Sequence, residues 1–509
     1  MRRWLHTFWA VVLPRRQSKS CRTAFPGRPE RPGKAVLLRL LLAGLIALAA
    51  GVWPARAADK KQDPTVRITL YPASEPDPAL KYQLLPPLLD RRPGNAALHY
   101  CKAPHEQTRT LTDQKFWDSI MKRMEMPLAE LRKQKPPSWP AGSGSIFEAL
   151  QRGARCDSCD WDYPIREGDP YSILLPEVGG MRNFARLMAV RVRLQMAEGK
   201  YEDAVRSLQV GYAMARHVAQ APILVNALVG NSIAAIMDRQ VETFIQQPDA
   251  PNLYWALSTL PRPLVDFRPG FEMEAAAFYL EFPELRDLEK KQLSADQWRD
   301  LLNRFVYRAA QLFAENQSEK TAQPASQALI EQGYPRAKRA LIEWGYPAKT
   351  VDAMPVAQVI LLYTTRTCDQ LRDESFKWLL LPYPEARQGI AKAEQILREA
   401  KQSGREIFPI VSLLFPAVSA VKKAEVQAAE RRLAALRILE AMRLYGAKHQ
   451  GTLPSSLADI TEVPIPADPL AGQPFGYRRD GQTAILESAA ADAPPLRYHI
   501  QFAGKKKQP

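Results

Sequence analysis

The chain has 509 residues, 46% of them hydrophobic, with 43 prolines and a net charge of +16. That length can bury a large core in more than one domain, and so many prolines exclude long uninterrupted rods. The charge is concentrated at the start. Residues 1–57 carry eleven Lys or Arg and one acid, Glu30; without them 59 basic residues face 53 acidic ones. No basic stripe remains for nucleic acid, which is excluded as a partner.

Residues 1–57 read as a signal region. Arg39 precedes an apolar run from Leu40 to Val52, and Ala55-Arg56-Ala57 closes it. A positive flank, a short apolar core and an A-x-A site make a secretory signal, with cleavage expected after Ala57. The run is short of the roughly 20 residues a membrane-spanning helix needs. Contact with a membrane is therefore expected only through this segment if it stays uncleaved. The expected address is the periplasm or cell envelope. There Cys101, Cys156, Cys159 and Cys368 are able to form disulfides, in any of three pairings.

Residues 58–110 predict a Pro-rich extended arm over the helical body. Val66 to Leu70 has the pattern of a short strand, and prolines 72, 76, 78, 86, 87 and 93 forbid a long helix. Asn95 is placed to cap the next helix.

Residues 111–416 predict a helical body. From Leu111 to Arg132 the spacing puts Phe116, Trp117, Ile120 and Met124 on one face. "PPSWPAGSGS" breaks the pattern, and "CDSCDWDYPIREGDPYSILLPE" is an irregular connector. Two amphipathic helices between Met181 and Pro222 then flank "EGKYEDA". With Gly199 at the turn, Tyr201 in the groove and Ala204 at the helix contact, this stretch resembles a tetratricopeptide-type hairpin, although Val192 stands where that repeat has a glycine. The resemblance implies antiparallel helix pairs.

Helices follow over Ile223–Ile245 and after Asn252, a candidate cap. "ALIEQGYP" (328–335) and "ALIEWGYP" (340–347) then repeat at a spacing of twelve residues. Each copy predicts a short helix ended by a Gly C-cap and a Pro stop. Further helices are expected at Val356–Trp378 and Glu385–Lys401.

Residues 417–509 predict one long helix, Val418 to His449, leading into a small β unit. After "HQGTLPSSL", Asp468, Pro469, Gly472, Pro474, Phe475 and Tyr477 stand in the order Asp-Pro-x-x-Gly-x-Pro-aromatic-x-Tyr. Helix and motif together resemble the globular end of type II secretion pseudopilins. The resemblance implies a helix packed on a small sheet. Asp480-Gly481 supplies the hairpin turn into Thr483–Leu486. Here the helix lies at the far end of the chain and no prepilin peptidase site occurs, so a fold element carries over and pilus assembly does not. As a whole the chain resembles uncharacterised exported bacterial proteins with a helical body, which implies no activity. The expected fold class is mainly α, with antiparallel helix pairs, tetratricopeptide-like in part, and a small α+β C-terminal unit.

Few residue groups carry chemistry. His99, Cys101 and His105 share "HYCKAPH", and Cys156 and Cys159 share "CDSC". Together they offer donors for a tetrahedral zinc site, with a disulfide or buried thiols as the alternative. Asp157, Asp160 and Asp162 around the pair oppose a reactive thiolate. Glu274 and Glu281 lie one helical face apart, a spacing on which a paired-carboxylate hydrolase can be built. Phosphate-loop, dinucleotide, His-Glu-x-x-His and Gly-x-Ser-x-Gly motifs are missing from the sequence. No catalytic residue is singled out, and zinc is the only cofactor considered. The function expected is an exported non-enzymatic scaffold or protein-binding module with a protein partner. The alternatives are an exported metal-dependent or carboxylate hydrolase and a pseudopilin-like component of secretion machinery.

Overall fold

Ile68 and Leu70 point inward from a strand, β1 (Thr65–Leu70), and its hydrogen-bonding partner lies at the other end of the sequence. The computed structural model describes residues 65–103, 111, 113–134, 143–166, 170, 173, 175–313, 319–425, 430–488, 490 and 495–503. The signal region falls outside these residues, as does His105.

In chain order β1 is followed by β2 (Arg92–Asn95), α1 (Ala96–Lys102), α2 (Gln114–Glu125), α3 (Leu128–Leu131), α4 (Ser143–Ala154) and β3 (Cys156–Ser158). The helical body continues with α5 (Pro176–Ala197), α6 (Tyr201–Val218), α7 (Leu224–Phe244), α8 (Tyr254–Ser258), α9 (Arg268–Glu281) and α10 (Ala295–Phe313). Then come α11 (Glu319–Glu343), α12 (Ala348–Ala353), α13 (Val356–Phe376), α14 (Tyr383–Gln402), α15 (Ile410–Glu425) and α16 (Arg431–Lys448). The chain ends in β4 (Gly476–Asp480), β5 (Thr483–Glu487) and β6 (Arg497–Phe502). The protein is mainly helical with a small C-terminal sheet. No described helix is long and apolar enough to cross a membrane.

Two helical groups share one apolar core. In the first, α5, α6 and α7 pack mutually, with α2 and α3 against α5 and α4 against α6. In the second, α13 is surrounded by α10, α11, α14 and α15. Helix α7 joins them, because it also contacts α9, α15 and α16. Its sequence explains this role: Leu228, Ile233, Ile236, Met237 and Val241 are buried on several sides, as expected of a helix apolar almost all round.

The four-stranded sheet has the order β1-β6-β5-β4. β1 runs parallel to β6, pairing Ile68 with Ile500 and Leu70 with Phe502, while β4, β5 and β6 are antiparallel. Ile68, Leu70, Ala484, Leu486, Tyr498 and Ile500 are all buried. Each large apolar side chain among them contributes about 1.5–3 kcal/mol relative to exposure. The expected extended arm thus divides. Its strand belongs to the C-terminal sheet, and its remainder crosses the helical body, where Gln209 Nε2 donates to the Leu85 carbonyl at 3.0 Å.

The chain just after the strand is strapped to α16 by Arg443, which a buried ion pair within that helix holds in place. Arg443 and Glu440, neither exposed at all, are 2.9 Å apart. Arg443 also donates to the carbonyls of Tyr71 (2.9 Å), Ala250 (2.6 Å) and Pro251 (3.3 Å). Asn252 donates to the Glu440 carbonyl and accepts from Tyr254 N, but it stands one residue before Leu253, the N-cap of α8, rather than at the cap position expected. Asn95 does cap α1, by accepting from Ala97 N.

Three further expectations need correction. The helix expected over Leu111–Arg132 is interrupted at Met126-Pro127, because proline cannot donate the helical hydrogen bond. The long helix expected from Val418 is described as α15 and α16, and α15 already begins at Ile410 with Pro416 inside it. Of the two octapeptide copies, only the second ends a helix. Gly345 has φ +99° and closes that turn. The first copy lies inside α11, where a Cβ on Gly333 would stand 2.7 Å from Ile407 Cδ1. There glycine permits a close approach rather than a turn.

Candidate functional site

The segments "RRPGNAALHYC" and "CDSCDWDY" are stitched together by short strands and side-chain bonds. β2 and β3 run parallel, pairing Arg92 with Cys156 and Asn95 with Ser158. Ser158 Oγ donates to the Gly94 carbonyl at 2.8 Å, and Gly94 N donates to Asp157 Oδ1 at 3.2 Å. Asn95 Oδ1 accepts from Asp160 N at 2.9 Å as well as capping α1, and its Nδ2 donates to the Asp160 carbonyl. The Asp157 carboxylate, and that of Asp160, which accepts from Asp162 N at 2.9 Å, are therefore engaged in loop geometry.

Helix α1 then aims Tyr100 inward. Its hydroxyl meets Nδ1 of His217 at 2.8 Å, and its ring stacks with Trp161 at 6.3 Å. Gly153 of α4 makes room: a Cβ there would lie 2.5 Å from the Tyr100 ring. Trp161 Nε1 donates to the His217 carbonyl at 3.4 Å, and Cys159 N donates to Gln220 Oε1 at 2.7 Å. Burial, followed by the charge of Arg216, brings the His217 pKa down to about 4, while the Cys156 backbone hydrogen-bonds it. His217 is a neutral, packed core histidine. Its tyrosine partner lies 117 residues away in the chain, so no local pattern in the sequence points to it.

All four described cysteines are free thiols. Burial pushes Cys159 far above the usual thiol range, and raises Cys156 and the half-buried Cys101. These thiols stay protonated at neutral pH, and Cys156 starts a strand rather than a helix, so no helix dipole opposes the shift. Cys101, Cys156 and Cys159 are close enough for their charges to couple. His99 lies half-buried on α1. Among the described residues no group of three or more His, Cys, Asp or Glu is arranged to hold a metal ion.

On α9 the two spaced acids have unlike surroundings. Glu281 is buried and meets Arg308 Nη2 at 2.9 Å. Glu274 is pushed up to about 7 by burial.

The remaining singled-out residues shape the fold. Gly199 has φ +74° in the turn between α5 and α6. Tyr201 packs edge-on against Phe244 of α7 at 5.5 Å, and Ala204 is fully buried. Asp468 is also fully buried: its Oδ1 accepts from Leu470 N (2.9 Å) and Ala471 N (3.3 Å), and its Oδ2 accepts from Ser488 Oγ. Gly472 closes the same turn at φ +69°, and its N–H donates to the Asp468 carbonyl. Pro469 is partly buried and Pro474 exposed, flanking that turn. Phe475 is buried, and Tyr477 donates from its hydroxyl to the Pro454 carbonyl at 2.8 Å. That bond ties "GTLPSS" to β4.

Beside Tyr100 opens a cavity of about 360 Å³ that sequence reading did not find. Trp117, Trp161 and Phe184 wall it together with Tyr100, and Cys101 and Glu177 reach its surface. The aromatic run after "CDSC" was the only hint in the sequence.

Comparison with protein-family models, with curated proteins and with solved structures finds no match to this chain.

Proposed function

We propose that this chain is an exported, non-enzymatic scaffold that binds a protein partner in the periplasm or cell envelope. The carrying observation is a set of bare leucines on an anchored segment. Leu88, Leu89 and Leu98 are 77%, 96% and 61% exposed. Their backbone is fixed on both sides: Arg91 Nε donates to the Pro86 carbonyl at 3.0 Å, and Arg92 N donates to the Arg155 carbonyl at 2.8 Å. Large apolar side chains held outward by an ordered segment mark a contact surface for another protein. The polar groups discussed above support the same reading, because Asp157, Asp160, His217, Asp468 and Tyr477 each have a hydrogen-bonding role within the fold.

A photo-crosslinking residue at position 89 of the envelope-expressed protein tests this directly. The expected outcome is one dominant protein adduct, reduced when Leu88 and Leu98 are changed to Ser. The same probe at Leu380, 45% exposed elsewhere on the molecule, is the control. Identical adducts from both positions would sink the proposal. Mass spectrometry of the same preparation tests export, with a chain starting at Ala58 expected.

A further inference from the structure

The cavity beside Tyr100 has walls of one character and a floor of another. Four of its lining residues are aromatic: Tyr100, Trp117, Trp161 and Phe184. Among the described residues that line it, Glu177 is the one carboxylate and none is Lys or Arg. Its volume of about 360 Å³ lies within the range of small-molecule sites, about 300–1,000 Å³.

The donors of the Trp117, Trp161 and Tyr100 walls are already used. Trp117 Nε1 donates to the Leu111 carbonyl at 2.9 Å, and Trp161 Nε1 donates to the His217 carbonyl at 3.4 Å. The Tyr100 hydroxyl is engaged with His217. What these three residues turn toward the cavity is ring rather than donor; the Asn183 amide also lines it, its Oδ1 accepting from Arg186 at 2.7 Å. Glu177 supplies an acceptor instead. Its Oε2 is shielded from solvent and has no hydrogen-bond partner among the described residues. Glu177 stands in the first turn of α5, where the helix dipole favours a negative charge. A shielded carboxylate oxygen with no donor is costly, and a ligand carrying positive charge relieves that cost. Aromatic faces attract cations through their quadrupole, whereas a hard metal ion demands more oxygen ligands than one carboxylate offers.

We infer that this cavity binds a small organic cation bearing a quaternary ammonium group, with the aromatic rings around its methyl groups and the Glu177 carboxylate as counter-ion. The site is separate from the exposed leucines, and neither reading depends on the other.

Isothermal titration of the purified full chain with choline tests it, with the neutral isostere 3,3-dimethylbutan-1-ol as comparison. Choline is expected to bind saturably, and the isostere at least about tenfold more weakly. Glu177→Gln keeps shape and removes charge; it should weaken choline about tenfold, leave the isostere unchanged and leave the unfolding midpoint unchanged. Trp161→Leu should weaken both probes. Absence of saturable heat with choline on the wild-type chain overturns the inference. So does equal affinity for choline and the isostere, or a Glu177→Gln variant that folds and binds choline as before.

Discussion

The Tyr100 hydroxyl and Nδ1 of His217 lie 2.8 Å apart in the protein interior, joining α1 to the last turn of α6. The bond holds the stitched 92–102 and 156–163 segments against the helical body. It also holds a titratable ring in its neutral form, since burial and Arg216 bring His217 down to about 4.

That shift makes stability depend on pH. The folded pKa is lower than the unfolded one, about 6.5, so the unfolded chain binds the extra proton between them. The stabilisation from this site is complete above about pH 6.5 and is lost as pH falls toward 4, by about 3 kcal/mol. Asp238, pushed up to about 8 by burial, acts with the opposite sign and loses its contribution as pH climbs toward 8. The difference between wild type and His217→Gln isolates the histidine. In urea unfolding the variant is expected to be less stable at neutral pH, with the gap closing as pH approaches 4. A gap independent of pH contradicts the assignment.

Arg443 and Glu440 predict a large penalty for separation. Glu440→Gln leaves a guanidinium buried without its counter-charge, and should cost about 3–5 kcal/mol. Arg443→Met should cost at least as much, because it also strands the carbonyls of Tyr71, Ala250 and Pro251. Loss of the Tyr71 contact frees the chain after β1. Limited trypsin digestion is therefore expected to cut at Lys81 faster in Arg443→Met than in wild type.

The two glycines of the repeated octapeptide should respond differently to alanine. Gly345→Ala meets no atom within 4 Å but must adopt φ +99°, for a cost of about 1 kcal/mol. Gly333→Ala has helical geometry and instead drives a methyl into Ile407, for about 1–3 kcal/mol. Trimming the neighbour separates the causes. Ile407→Val should recover part of the Gly333→Ala loss and none of the Gly345→Ala loss, read as urea midpoints.

Asp468 gives the last expectation. Asp468→Ala orphans the N–H groups of Leu470 and Ala471 in the interior, and should destabilise by about 2 kcal/mol. Asp468→Asn retains an acceptor and should lose less. Added calcium should shift neither midpoint, because both carboxylate oxygens already have donors in the fold.

Local signals were legible in the sequence, and long-range ones were not. Helical periodicity marked α5, α6, α7, α13 and α14, because a buried face repeats every turn whatever it packs against. The Asp468–Tyr477 turn was legible for the same reason: its proline, glycine and aspartate act on neighbours two to four residues away. Alternation identified β1 as a strand but carried no information on its partner. A parallel pair is joined by no hairpin, so the match of Ile68 to Ile500 is set only in the folded chain, where Tyr498 donates to Glu242 of α7 and Phe502 lies against Gly446 of α16.

The candidate site divides along the same line. Sequence named Cys101, Cys156 and Cys159, yet their raised pKa values come from burial and from neighbouring acids such as Glu177 and Asp157, which only the folded chain supplies. It marked Gly333 and Gly345 alike, although one faces Ile407 and the other open space. The aromatic cavity depends on rings from four separate segments, Tyr100, Trp117, Trp161 and Phe184. Composition and periodicity by themselves determined a mainly helical chain, and local turn signals a small β unit at its end. Which residues meet inside it was decided by the tertiary structure, because burial and charge pairing are properties of neighbours in space.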